Sequence, residues 1–588
     1  MGTAVARETV SALTVKVDGN ALDPEFASAV ADVRIRNSLH APDMAEVRIT
    51  DPDRKFIKSQ GFKLGNSIEI SIGSPESNTT TAVFKGFVAT LAPEFTERGV
   101  EAVMRAYDLT FKLTRGRHTR VFTDVMTTDA ITEVLGAGGF NSQVTSHANR
   151  HEWLQQSEES DYDFVTRLAR TLDFVMVADG DTIVVGPLED IAGEAATPLE
   201  YGSPEKGRRL FSFNPTVTTG QVPSEVIAVA HDPSSNAQWE ASVKPFEDNA
   251  VLVESDAISQ LLEEASEIAG ETVFRFSTTA WDSSELERAA KAAAKRLLQT
   301  AAQGSGVCVG RPDLKPGTRV QIENVEQFSG KYVVSETTHS YRGGRGYRTS
   351  FVCAGPARRS LAELMRSSGG GGATSNGGSG GDFGEQLHLA EVTNNQDPED
   401  MGRVRVKFKT IRDDKSGNPE GWWARIAGPS SGKGRGVMML PQPGEEVLVG
   451  FEQGDVARPL VIGSLFNGEH TPGEELVRND GSFSLVSDKQ IRMKAAEEIQ
   501  VHSDKELTMK VGGDVKSEND GVWKQKVAKE VTIENGTFPI TIKSGKEITL
   551  EAPMITVKAD MKLDLSGPMV NINGSTSVTI AGAIIKLG

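Results

Sequence analysis

The stretch QIRMKAAEEIQVHSDKELTMKVGGDVKSENDGVWKQKVAKEVTI, residues 490–533, sets an apolar residue at every eighth position: Ile491, Ile499, Leu507, Val515, Trp523 and Val531. A second apolar residue often follows two positions later, as at Met493, Val501, Met509 and Ile533. The pairs continue as Ile540/Ile542, Ile548/Leu550, Ile555/Val557, Leu563/Leu565, Val570/Ile572, Val578/Ile580 and Ile585/Leu587, at spacings alternating between eight and seven. Side chains two apart in an extended chain share a face. A short unit recurring at a fixed interval marks a solenoid or β-helix.

One such chain cannot enclose its own apolar row, because each repeat is a single short strand flanked by Lys, Glu, Asp, Thr and Ser. Three copies wound together can, each supplying one wall of a triangular prism. Fully burying one Val, Ile or Leu is worth roughly 1.5–3 kcal/mol. A dozen pairs in three chains would far exceed the usual margin of stability, and closed interchain ladders leave no lateral edges. The repeat therefore predicts a stiff needle, an intertwined triple-stranded β-helix formed by a homotrimer. Its dry core is expected from Ile540, Ile542, Ile548, Leu550, Ile555, Val557, Leu563, Leu565, Val570, Ile572, Val578 and Ile580. The alternative is an ordinary β-sandwich with fortuitous spacing.

Upstream, residues 385–467 read as five short strands, QLHLAEVT, RVRVKFKT, GVMMLP, EEVLVGFE and RPLVIGSL, with turns at 394–402, 441–444 and 453–455. That density fits a small OB-fold barrel. Before it, Ser367 to Gly381 reads SSGGGGATSNGGSGG, a polar Gly/Ser linker by composition. It lacks the Gly-Lys-Ser/Thr ending of a phosphate loop. The N-terminal region alternates like strands in LTVKVDG, ADVRIRN, AEVRITD, SIEISIG and VFKGFVATL. Helices are predicted after Thr127-Thr128-Asp129, after Ser160-Asp161 with Phe164, Leu168 and Leu172 on one face, and after Asp282, whose spacing to Glu285 is that of a capping box. Strands return as RVQIENV, GKYVVSETTHSY and YRTSFVCAG. The fold class is mainly β with some α. The domain plan is a 1–366 region of two β-domains plus helices, a 367–384 linker, a 385–467 barrel and a 468–588 β-helical needle.

Composition narrows the function classes. The 588 residues carry 81 Asp+Glu against 63 Lys+Arg, a net charge of −18, which disfavours a nucleic-acid partner. No apolar run is long enough to span a membrane as a helix. The N-terminus has no basic segment leading into an apolar one, so signal-peptide export is not expected. Two cysteines, Cys308 and Cys353, form neither a disulfide framework nor a zinc site and are expected as buried free thiols, a Cys308–Cys353 bridge being the alternative.

The barrel segment resembles the VgrG-type spike family of contractile injection systems: type VI secretion, phage-tail-like particles and contractile phages. The likeness is carried by Val392-Thr393-Asn394-Asn395-Gln396-Asp397-Pro398-Glu399-Asp400-Met401-Gly402-Arg403-Val404-Arg405-Val406. It continues in Trp422-Trp423-Ala424-Arg425, Leu440-Pro441, Pro443-Gly444-Glu445-Glu446-Val447-Leu448-Val449, Gly454-Asp455, Arg458-Pro459 and Gly463-Ser464-Leu465-Phe466-Asn467. The N-terminal region is similar to the hub part of that family in Ser157–Ala169, Gly310–Gly317, Ser329–Val334 and Thr338-His339. The resemblance implies a trimeric spike that caps the tail tube with two similar β-domains per chain, organises the baseplate and punctures the target membrane. Its implied partners are the tail-tube protein and baseplate components, cargo effectors, the target membrane transiently, and a PAAR-like tip protein. Ile585, Leu587 and Gly588 end the repeat without a cap and are the expected docking edges for that tip, by β-augmentation. Assembly in the cytoplasm and delivery or release with a phage-tail-like particle follow from the same likeness. The short passage from Asn467 into the repeat leaves no room for the lysozyme domain of some phage relatives, and no toxin segment is expected after Gly588.

No catalytic residue, cofactor or metal ligand set is expected. His147 and His151 stand four apart but in a loop-like context, without a third ligand or a catalytic Glu. Asp397-Pro398-Glu399-Asp400 is expected as a solvated hairpin rather than a carboxylate site. Trp422 and Trp423 are expected on opposite sides of a strand, one in the core and one at a subunit contact. A nucleic-acid stacking role is disfavoured because residues 385–467 hold 10 Lys+Arg against 12 Asp+Glu. The function readings are a structural spike first, with a spike bearing accessory cell-wall hydrolase activity or a trimeric receptor-binding fibre as alternatives.

Overall fold

The computed structural model describes residues 12–586 apart from 60–61, 74–79, 98, 194, 219–221, 234, 246–252, 256, 263–271, 281, 300, 344–345, 354–382, 410–419, 475, 477–481 and 535–539. Most of the linker expected at 367–384 therefore lies outside the described residues. The chain divides into two units, one up to Val486 and one from Ser487 onward.

The first unit is organised by a sixteen-stranded sheet. Its strands alternate as half-buried strands do. Val30–Ser38 and Met44–Thr50 pair antiparallel and turn Val33, Ile35, Val47 and Ile49 inward. These residues form one core with Ile68, Ile70, Phe84 and Met104. The later strands, from Ala196 to Cys353, surround a second core that includes Leu199, Leu210, Val320, Ile322 and Phe351. Glu336–Arg342 joins the two halves, pairing with Gly346–Cys353 on one side and with Val30–Ser38 on the other, in the register Glu336↔Ser38 to Arg342↔Asp32. In the strand Ala302–Val309, Gly304 and Gly306 leave space for aromatic rings. A Cβ there would stand 2.7 Å from Phe213 and 2.5 Å from Phe351.

Register settles the cysteines. Cys308 lies opposite Thr349, and Cys353 opposite Gly304. The two thiols are thus four residues out of step, roughly 13 Å along the strands, beyond the reach of a disulfide. Both are buried and free, and burial pushes both thiol pKa values up.

Helix α1, Thr127–Ala137, starts at the expected threonines, but Thr127 and Thr128 are buried in its first turn, Met126 is the N-cap, and no side chain caps it. Helix α2, Asp161–Thr171, is capped by Ser160, whose Oγ accepts the N–H of Asp163 at 3.1 Å. It buries Phe164, Leu168 and Leu172 as its spacing predicts. Helix α3, Ser283–Gln299, begins where Asp282 Oδ1 accepts the Glu285 N–H at 2.7 Å. It packs Leu286, Ala290, Ala294 and Leu297 in one core with Val226, Ala228 and Ala230 of the strand Glu225–Asp232.

The five-stranded barrel expected from the sequence is present and closed, with strands His388–Asn394, Val404–Phe408, Glu420–Ile426, Glu446–Phe451 and Pro459–Leu465. One strand differs from expectation. GVMMLP is not a strand; the third position is taken by Glu420–Ile426, which pairs with Val404–Phe408 and Pro459–Leu465. Val437, Met438 and Met439 lack strand alternation and are all exposed. The interior holds Ala390, Val392, Val404, Val406, Phe408, Ala424, Val447, Val449 and Val461.

In the second unit, no strand or helix occurs among the described residues. Bends fall at 488–489, 496–497, 504–505, 512–513, 520–521 and 528–529, the same eight-residue period as the apolar positions. Two of these are closed locally, where the Lys489 and Gln490 N–H groups donate to Ser487 Oγ and Ser503 Oγ donates to the Glu506 carbonyl, and so is a later bend at 545–546, where the Glu547 N–H donates to Ser544 Oγ. These bonds span only two or three residues.

Candidate functional site

The opening hairpin of the barrel is built around one carboxylate. Asp397 accepts the N–H groups of Glu399, Met401 and Arg403 at 2.9–3.1 Å. Its two oxygens also face the Arg403 guanidinium, Nη2 at 2.7 Å and Nε at 3.0–3.1 Å. Burial would raise this carboxyl, but the Arg403 fork and the backbone N–H groups outweigh it and hold the pKa at about 2. Asp397 itself is not solvated: its side chain is only 3% exposed, while Pro398, Glu399 and Asp400 face solvent. The left-handed backbone at Asp400 and Gly402 brings Arg403 back over Asp397. This arrangement fixes a turn and leaves no free carboxylate pair for acid–base chemistry.

The tryptophans correct a second expectation. Neither is in the barrel core, where that strand contributes Ala424. Trp422 instead lies against Trp153 of the N-terminal region, ring centroids 5.9 Å apart. Trp423 lies beside the Arg403 and Arg405 guanidiniums, each 5.9 Å from its ring, a cation–π arrangement.

The histidines are not a metal pair. His147 lies in the connection before Arg150–Glu159, half-buried with its ring edge toward Phe174. His151 is in that strand, not in a loop, with Nε2 2.9 Å from Thr127 Oγ1. Burial, with Arg167 nearby, lowers its pKa. Among the described residues, no three His, Cys, Asp or Glu side chains converge as metal ligands.

The sequence gives no sign of a further acid pair, the half-buried Asp43 and the buried Asp108. The Asp43 N–H donates to Asp108 Oδ2 at 3.0 Å, and the Asp108 N–H returns to the Asp43 carbonyl at 3.0 Å. Asn37 Nδ2 and the Ser38 N–H donate to Asp43, while Thr110 donates twice to Asp108. Burial first, and Asp108 second, raise the Asp43 carboxyl to about 7. Nothing local in the sequence marks the pair, since its members stand far apart in the chain. A shallow groove of about 210 Å³ on the large sheet holds Glu336 among Ser212, Ser305, Thr338 and Ser350. Arg36 Nη2 takes that carboxylate at 3.2 Å.

The apolar rows of the second unit stay uncovered by their own chain. Ile542 is 73% exposed, Ile572 61% and Ile580 63%, and Ile540, Ile548, Leu550, Ile555, Val557, Leu563, Leu565, Val570 and Val578 are likewise exposed. At the end of the chain Ile585 is exposed. Leu587 and Gly588 lie outside the described residues.

Residues 7–342 match a family model described as the Alg8 N-terminal domain. Residues 388–466 match the Type VI secretion system/phage-baseplate injector OB domain. The Type VI secretion system spike protein VgrG1a of Pseudomonas aeruginosa is 34% identical over 114 residues, covering 17% of this chain and 18% of that protein. The spike protein VgrG5 of the same organism is 30% identical over 135 residues, covering 23% and 16%. The chain thus spans less than a fifth of the length of these relatives. Among solved structures, the E. coli c3393 protein is described as a component of the type VI secretion system with structural similarity to T4 bacteriophage tail proteins gp27 and gp5. It aligns with a TM-score of 0.46 at 16% identity, covering 77% of this chain and 99% of that one. The 43 kDa tail protein of prophage MuSo2 from Shewanella oneidensis aligns with a TM-score of 0.45 at 15% identity, covering 59% and 98%.

Proposed function

This chain belongs to the Alg8 N-terminal domain family over residues 7–342, and, because its barrel matches the type VI/phage-baseplate injector OB domain, we propose that it is the central spike of a contractile injection system. The observation that carries the reading is the periodic apolar row of the second unit, which its own chain leaves exposed. A row of that length in water is costly, since burial of each aliphatic side chain is worth roughly 1.5–3 kcal/mol. Three copies supply the missing cover, with Ile540 through Ile580 as the shared core. The protein is then a homotrimer whose last hundred residues are a rigid needle.

In this reading the N-terminal region caps the tail tube and meets the baseplate, and the needle carries a tip protein on the edges at Ile585, Leu587 and Gly588. Cargo effectors travel with it, and contact with the target membrane is brief. The protein transmits force and carries no active site of its own. In support, the acidic hairpin is consumed by the Asp397–Arg403 pair, and the Glu336 carboxylate in the sheet groove by Arg36.

Isolation of the native assembly tests the proposal. The expected result is co-purification with tube and baseplate proteins and, by electron microscopy, one trimer on the particle axis. A folded single copy by solution mass measurement, with residues 487–588 intact, overturns it.

A further inference from the structure

The turn between the fourth and fifth barrel strands does more than reverse the chain. Glu452 N–H donates to the Arg458 carbonyl, Asp455 N–H to the Glu452 carbonyl, and Arg458 N–H to the Asp455 carbonyl, at 2.9–3.1 Å. Left-handed backbone at Gln453 and Gly454 allows this tight winding. Against the turn lies Gly384, where a Cβ would stand 1.8 Å from the Gly454 carbonyl oxygen. The turn thereby aims Arg458 out of the barrel and into the N-terminal region. Its side chain is 7% exposed. There Nη1 donates to the His231 carbonyl at 3.3 Å and Nη2 to the Ala280 carbonyl. Glu452 stands 3.8 Å from Arg458, 2.8 Å from Arg425 and 3.9 Å from His231 Nδ1. A second contact sets Trp422 against Trp153 of the N-terminal region.

We propose that these two contacts form a self-sufficient docking seat, one that binds the barrel to the N-terminal region without help from the chain segment joining them. On the barrel side the contacts come from Trp422 of its third strand and from Glu452 and Arg458 of the turn between its fourth and fifth strands. The chemistry is that of a specific interface rather than of a tethered neighbour: a desolvated guanidinium shared by two backbone carbonyls, backed by a carboxylate and flanked by an aromatic pair. His231 lies in the strand that packs α3, and Ala280, in the connection before α3, is buried in the same core, so the barrel is fixed to a core and not to a loose surface. Arg458-Pro459, one of the motifs of the barrel, is thereby given a binding role. This inference goes beyond the spike reading and does not require it.

The test uses the full-length protein with a protease recognition sequence replacing residues 374–381, cut after assembly. The two fragments of the cut parent protein are expected to co-elute on gel filtration. Arg458→Ala and Trp422→Ala, cut in the same way, are expected to release the barrel fragment faster by on the order of ten- to a hundredfold. Arg458→Lys, which keeps the charge but loses the fork, falls between. Uncut variants with parental melting temperatures show that release is not unfolding; where Arg458→Ala melts early, Trp422→Ala carries the comparison. Immediate separation of the cut parent, or cut variants that hold as firmly as the parent, overturns the proposal. Neither result touches the trimer or the injection role, which are read from different measurements.

Discussion

Arg403 closes both oxygens of Asp397 in a side-on pair six residues apart, and the same carboxylate accepts three backbone N–H groups of its own hairpin. Removing one member leaves a nearly buried charge without its partner. Asp397→Ala is expected to cost the barrel roughly 3 kcal/mol, read by chemical or thermal denaturation. The carboxyl is held below its usual range, so its contribution is full above about pH 4 and fades as pH falls toward 2. The gap between the parent and Asp397→Asn should narrow over that window; a constant gap would refute the assignment.

Asp43 runs the other way. Its carboxyl is raised to about 7 by burial and by Asp108, so the folded form holds a proton that the unfolded chain gives up near pH 4. The parent should therefore lose stability between about pH 4 and 7, by a few kcal/mol at most. Asp43→Asn should flatten that slope and gain on the parent at pH 8 relative to pH 4. Parallel melting-temperature profiles for the two proteins would count against the raised carboxyl.

Gly306→Ala would drive a methyl to within 2.5 Å of the Phe351 ring in the second core. Overpacking of this kind costs about 1–3 kcal/mol, and a lower midpoint in denaturant with unchanged slope is the expected readout.

For the needle, Ile572→Asp and Ile580→Asp distinguish a shared core from a solitary ribbon. Both side chains are well exposed in one copy, where a charge would be harmless. In a trimer, three charges would meet in a dry interior at heavy cost. Loss of heat- and detergent-resistant trimers is expected; intact trimers would sink the packing proposed for these positions.

Deleting Ile585–Gly588 is expected to abolish binding of the tip protein by the purified trimer while leaving its melting temperature within a few degrees. Undiminished binding would place the tip elsewhere.

Legibility in the sequence followed the range of the interaction. The Asp282 to Glu285 cap and the α2 stripe Phe164, Leu168 and Leu172 are set by neighbours within a turn or two, and both were read correctly. The barrel was legible as five strands, yet its third strand was misplaced. Apolar content in GVMMLP outweighed the pairing potential of Glu420–Ile426, which depends on partners elsewhere in the chain. Asp397 looked solvated because turn residues announce a turn without revealing that Arg403 folds back over it. Trp422 could not be placed, since its neighbour Trp153 lies in another region altogether. The acid pair Asp43–Asp108 and the barrel seat of Arg458 on Ala280 escaped for the same reason: only tertiary structure brings their members together.

The pairing of Glu336–Arg342 with Val30–Ser38 has a consequence in time. At about 5–20 residues per second on the ribosome, Val30–Ser38 emerges tens of seconds before the strand that completes it. During that interval its outer edge is open to any passing strand, including those of nascent siblings on the same message. Synthesis speed and chaperone supply, rather than final stability, would then set how much of this protein matures correctly.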